Sequence, residues 1–282
     1  MQEEFYQSKI DQQMLAYQVN NIDRKKPLFV IFHGMAEHKG RYNLFANHLI
    51  SLGFNVLLID HRGHGNSLYN HKLKGHFADR DGYLTNLIDL HEIITSVRKE
   101  DQALIIFGHS MGSLFARSYL NRFGDEVDAC ILSGSPDEAP LVNLIYGFAN
   151  LLTGWINPKK EAKFLTRMIY QGFNKSIDQA VSEYDWLSYR STNIEAYIQD
   201  PLCGFNLSYA GFRDLMFGVK DVYQSKHVAL KPNIPILFIS GMDDPCKLPN
   251  GLEYAKNRMR LQSYADVYSV ELPKARHEWL QE

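Results

Sequence analysis

The sequence is poor in cysteine: Cys130, Cys203 and Cys246 are the only three in 282 residues. An odd number at wide spacing fits neither a disulfide framework nor a zinc cluster, so free thiols in a reducing compartment are expected. A surplus of positive charge is also missing, since 30 Lys and Arg face 32 Asp and Glu for a formal net charge of −2. That balance excludes nucleic-acid binding through a broad basic face. The first residues, Met1-Gln-Glu-Glu-Phe5, lack the basic and apolar segments of an export signal, which makes the cytoplasm the expected location. Neither G-x-G-x-x-G nor G-x-x-x-x-G-K-S/T occurs, so no nucleotide cofactor is indicated. Long apolar runs are absent too. Ala139 to Pro158 carries no charge, but Asn143, Gly147, Asn150 and Gly154 interrupt it at helical spacing, which describes an apolar surface helix and not a bilayer span.

What is present is an ordinary globular composition, 45% apolar with sixteen Tyr and sixteen Phe, enough for one large core. Phe5–Ile10 and Met14–Val19 flank Asp11–Gln13 as a hairpin. Leu28–Phe32, Val56–Asp60, Leu104–Gly108, Ala129–Ser133, Ile236–Ser240 and Val267–Leu272 read as buried strands. Helical stretches lie between most of them, at Arg41–Leu52, Tyr83–Arg98, Ser110–Phe123 and Asn250–Leu261. Alternating strands and helices predict an α/β fold with a mostly parallel sheet covered on both faces. The alternation breaks from Pro136 to about Val228. The chain therefore divides into a core over residues 1–135, a helical insertion over 136–230 and a second core segment over 231–282.

The strongest chemical signal is Gly108-His-Ser110-Met-Gly112, directly after an apolar strand and directly before a helix. This is the setting of a nucleophile elbow, whose tight turn demands small residues at both ends and lifts the serine hydroxyl clear of the sheet. A serine needs a histidine base, and the base needs an acid to fix its tautomer, in the chain order serine, acid, histidine. His227 and His277 alone follow Ser110, and His277 comes just after the last strand, whereas His227 reads as a surface residue. Asp243 and Asp244 both emerge at the C-terminal end of Ile236–Ser240, where parallel sheets place their sites. Two backbone donors are needed for the oxyanion: the amide of Met111, after the serine, and that of Met35, in the loop His33-Gly34-Met35. Asp60-His-Arg-Gly-His64-Gly-Asn-Ser67, with His71, His76, Asp79 and Asp81 nearby, reads as a turn held by Arg62 and the histidines in preference to a metal site, because no regular element fixes both rings on one ion.

These residues together resemble the monoglyceride lipase and lysophospholipase branch of the α/β-hydrolases, akin to the serine aminopeptidases of the S33 group. The likeness is carried by His33-Gly-Met-Ala-Glu37-His38-Lys-Gly-Arg41-Tyr42, Asp60 to Ser67, Gly108 to Gly112, Asp200-Pro-Leu-Cys-Gly204, Ser240-Gly-Met-Asp-Asp244-Pro and Ala275-Arg-His277-Glu278. It implies an eight-stranded α/β-hydrolase fold with an inserted helical cap, a triad of Ser110, Asp244 and His277, and oxyanion donors at Met35 and Met111. It implies no cofactor and no metal. The expected substrate is a lipid ester, a monoacylglycerol or lysophospholipid. A small-ester carboxylesterase, an acyltransferase and a catalytically silent binding scaffold are the alternatives. Leu144, Phe148, Leu151 and Trp155 are expected to roof an acyl tunnel, and their helix to touch a membrane surface transiently. The family continues past its histidine into a terminal helix, whereas here five residues follow His277.

Overall fold

The computed structural model describes residues 1–70, 72–138 and 141–282, so His71, Ala139 and Pro140 lie outside the described residues. The strands are β1 (Glu3–Gln7), β2 (Met14–Asn20), β3 (Leu28–Phe32), β4 (Asn55–Ile59), β5 (Leu104–His109), β6 (Ala129–Ser133), β7 (Ile236–Gly241) and β8 (Val267–Leu272). They form one eight-stranded sheet in the order β1-β2-β4-β3-β5-β6-β7-β8. The β1–β2 hairpin joins antiparallel to β4, and every later neighbour pairs in parallel.

Side chains on the buried strands divide between two cores by the period of two that a pleated strand imposes. Leu28, Val30 and Phe32 of β3, with Leu57 and Ile59 of β4, enter the larger core under α2 (Gly82–Val97) and α3 (Met111–Phe123). Phe29 and Ile31, with Val56 and Leu58, face the opposite side and pack on Ala46 and Leu49 of α1 (Asn43–Ser51). The expected helix Arg41–Leu52 starts later than its composition suggests. Lys39–Tyr42 is a tight 3₁₀ turn because the His38 ring accepts a hydrogen bond from the Gly40 amide.

The segment between β6 and β7 holds α4 (Val142–Trp155), α5 (Lys163–Asn174), α6 (Ser191–Gln199) and α7 (Tyr209–Gln224). It is not uniform. Phe212, Leu215, Val219, Val222 and Tyr223 of α7 belong to the large core, packed beside α2 and α3, while Tyr170, Trp186, Leu187, Tyr197 and Cys203 make a small core of their own above the sheet. The last helix, α8 (Gly251–Leu261), lies between β7 and β8 in sequence. Among the described residues, no helix is long and apolar enough to cross a membrane.

Candidate active site

Ser110 sits where β5 turns into α3, with φ 52° and ψ −119°, a backbone state that costs a non-glycine residue roughly 1–3 kcal/mol and persists only where the surroundings enforce it. The enforcement is visible. A Cβ on Gly112 would lie 2.1 Å from the Phe32 carbonyl oxygen of β3, and one on Gly108 would lie 2.4 Å from the Gly112 carbonyl oxygen. The Ser110 amide donates to the Ser133 carbonyl of β6 at 2.8 Å, which fixes the turn to the neighbouring strand. The 13-residue helix α3 begins one residue later and directs its positive end at the serine.

His277 and Asp244 arrive from the far edge of the sheet. Asp244 follows β7 and is fully buried; both its carboxylate oxygens lie 3.0 Å from His277 Nδ1. Ser240 Oγ donates to the same carboxylate at 3.0 Å and the Cys246 amide at 2.8 Å, so the group is held by three donors. Burial alone raises a carboxyl and depresses an imidazole. Here the mutual charge and hydrogen bond outweigh it, so Asp244 lies below its usual range and His277 above. Asp243 plays no part in the pair: it is exposed and accepts a hydrogen bond from the Tyr189 hydroxyl at 2.9 Å. His227 is likewise exposed, in the loop after α7.

Ser110, Met35, Met111 and His277 open on one cavity of about 1230 Å³. Gly34 touches the serine closely, since a Cβ there would fall 3.3 Å from Ser110 Cβ, and the following Met35 amide, like that of Met111, has no acceptor among the described residues. Ser110 Oγ and His277 Nε2 face the same space without a hydrogen bond, and Nε2 lies 3.9 Å from Cys246 Sγ. Catalytic hydrogen bonds often tighten only once substrate is bound.

Leu144, Phe148 and Leu151 of α4 line the cavity, joined by Phe164, Leu165 and Met168 of α5. Trp155 does not: it lies 85% exposed at the end of α4, beyond the cavity wall, because the helix carries it past the opening. The histidine turn is structural in its contacts. His33 Nδ1 meets the Gly34 carbonyl at 2.8 Å while its Nε2 accepts from the His61 amide, which braces the loop carrying Met35. His61 and His64 are bonded through Nδ1 to Asn86 and to the Arg62 carbonyl, and burial pushes the His64 imidazole down to about 3.

One feature of the site escaped sequence reasoning. Buried Glu37 accepts from the Gly34 amide at 2.5 Å, from the Tyr42 hydroxyl and from Arg41. Burial would raise this carboxyl, but the Arg41 charge brings it down to about 2. Arg41 also bonds Glu278 at 2.8 Å and lies over the Tyr197 ring, so one guanidinium ties the Met35 loop, the cap and the residue after His277 together. The signal available was the alternation of Glu37 and Arg41 in a short loop, which does not identify a third partner 237 residues away. Cys246, read as an ordinary thiol, lines the cavity beside His277.

Comparison with known proteins gives a consistent picture. A model of the family described as serine aminopeptidase, S33, matches residues 23–282. Monoacylglycerol lipase of Mycolicibacterium smegmatis is 28% identical over 218 residues, 76% of this chain and 69% of that protein. Human monoglyceride lipase is 28% identical over 263 residues, covering 88% of this chain and 78% of its own. Among solved structures, a thermostable carboxyl esterase from Bacillus coagulans superimposes with a TM-score of 0.87 at 24% identity, over 98% of this chain and 91% of that one. The α/β-hydrolase fold is shared with it.

Proposed function

The chain belongs to the serine aminopeptidase S33 family, and from that premise we propose that it is a serine hydrolase cleaving the ester bond of a monoacylglycerol or lysophospholipid through an acyl-enzyme. The observation that carries the reading is a strained serine and a buried His277–Asp244 pair opening on one large apolar cavity. Ser110 Oγ attacks the ester carbonyl as His277 Nε2 takes its proton, and Asp244 holds the ring by Nδ1 and stabilises the imidazolium. The Met35 and Met111 amides receive the oxyanion. His277 then protonates the leaving alcohol and activates the water that releases the fatty acid. Glu37, Asp137 and Glu278 line the cavity, and no Lys or Arg does among the described residues, which favours a neutral glycerol head over a phosphate.

The similarity to proteins named for monoacylglycerol and monoglyceride hydrolysis supports the same substrate class. So does the cavity rim. Leu144, Phe148, Leu151, Phe164 and Met168 line it and are each more than half exposed, a surface suited to resting on lipid while a chain enters. Burial of each chain methylene contributes about 0.8 kcal/mol, so each added CH₂ inside the cavity should raise kcat/KM about fourfold.

The test pairs Ser110→Ala with a panel of glycerol monoesters of increasing chain length. Turnover should fall by several orders of magnitude in the variant, with fluorophosphonate labelling abolished, and wild-type kcat/KM should climb from acetyl to long-chain esters. Turnover retained in Ser110→Ala defeats the mechanism; equal kcat/KM across the panel defeats the lipid assignment.

A further inference from the structure

Cys246 plays no part in the chemistry proposed above, yet its Sγ lies 3.9 Å from His277 Nε2, the nitrogen that must handle the proton. We propose that these two atoms form the seat of a thiophilic divalent cation, zinc above all, which reversibly blocks the reaction centre.

The geometry fits the ion. Imidazole nitrogen at about 2.0–2.1 Å and thiolate sulfur at about 2.3 Å from a tetrahedral zinc stand about 3.6 Å apart, so the observed separation closes with a shift of about 0.3 Å. Asp244 supplies the supporting carboxylate that zinc-bound histidines require. By holding the proton on Nδ1 it leaves the Nε2 lone pair directed at the cavity, and its own position is fixed by the Cys246 amide at 2.8 Å. Donor atoms of Asp244, Cys246 and His277 all lie within 4.8 Å of one another. Cys246, His277 and Ser110 share the cavity wall, so an ion enters by the substrate's route and completes its shell with water or the serine oxygen. Asp137 adds negative potential: its amide donates to the Cys246 carbonyl at 3.4 Å, and its Oδ1 has no partner among the described residues.

On binding, the Sγ–H bond breaks, its proton passes to solvent, and a sulfur–zinc bond forms without any change of oxidation state. The ion then occupies the Nε2 lone pair that would deprotonate Ser110. Hard cations such as Mg²⁺ and Ca²⁺, which prefer oxygen donors, have no comparable seat.

The experiment measures ester hydrolysis against added ZnCl₂, with each variant normalised to its own metal-free rate, in wild type, Cys246→Ala and Cys246→Ser. Half-inhibition should require at least tenfold more zinc in both variants, reverse with a chelator, and be absent with MgCl₂. CoCl₂ should give a thiolate-to-cobalt absorption in wild type that both variants lack. The proposal rests on the hydrolase reading only for its kinetic arm. The optical arm reads the site even in a protein that hydrolyses nothing. Equal zinc sensitivity in the three proteins, or a cobalt spectrum without a thiolate band, overturns it.

Discussion

Replacing Gly112 with alanine adds one methyl group at the place where α3 passes closest to β3. Its carbon would stand 2.1 Å from the Phe32 carbonyl oxygen and 2.6 Å from that of His33. Ordinary carbon contacts begin at roughly 3.4 Å, so backbone must yield by about 1.3 Å, and both obstructing atoms are buried main-chain oxygens, at the last residue of β3 and the residue after it, that cannot rotate away. Overpacking of this kind costs about 1–3 kcal/mol or somewhat more, and the displaced pieces are the serine turn and the loop bearing Gly34 and Met35. A misplacement near 1 Å at a reacting centre lowers turnover by about 10²-fold. The control is the same substitution at Gly154, on exposed α4, where nothing lies within 4 Å of the new carbon; there alanine should stabilise by about 0.5–1 kcal/mol through helix propensity. Thermal unfolding and kcat/KM of the two variants measure both effects. A Gly112→Ala protein with wild-type melting and turnover would refute the elbow packing argument.

The pH profile of kcat/KM should rise through a limb above the ordinary histidine value of 6.5, because Asp244 holds the proton on His277 and the base works only once it is lost. Asp244→Asn should move that limb to lower pH and reduce kcat by on the order of 10³–10⁴; a limb that stays in place removes Asp244 from this role. A separate group governs stability. Burial raises the Asp214 carboxyl from 3.8 to about 7, only partly offset by Arg213, and its Oδ2 has no partner among the described residues. The folded protein therefore holds a proton that the unfolded chain releases near 3.8, so stability is fully present at low pH and declines as pH rises toward 7. Asp214→Asn should flatten that decline and stabilise the protein at pH 8 by at most about 4 kcal/mol; a melting-temperature series with unchanged slope would contradict it.

The strands and their mostly parallel pairing were legible because buried parallel strands leave unbroken runs such as Leu28–Phe32 and the helices between them supply crossover connections; their order in the sheet, β1-β2-β4-β3-β5-β6-β7-β8, is set by packing that no local pattern records. Ser110 was legible for a local reason, since the glycines that the turn requires sit two residues on either side. The choice of Asp244 over Asp243 was not decided by position. Adjacent residues leaving one strand end differ in burial, and burial is set by what covers them. Two further features were beyond reach for the same reason. The helix Tyr209–Gln224 carries an ordinary amphipathic pattern, which does not say whether its apolar face meets the main sheet or the cap. Trp155 shares the apolar character of Phe148 but ends up outside the cavity, because the helix runs past the opening before it stops.

The Arg41–Glu278 pairing also sets a timetable for synthesis. At roughly 5–20 residues per second, a ribosome adds the carboxylate partner of Arg41 on the order of ten to fifty seconds after Arg41 itself, across a separation of 237 residues. Throughout that interval the loop beside the nucleophile lacks one of its braces, and the imidazole has not yet been translated. On the proposed mechanism a nascent chain therefore lacks its base until translation reaches His277, and a product truncated before it would carry the serine without an imidazole.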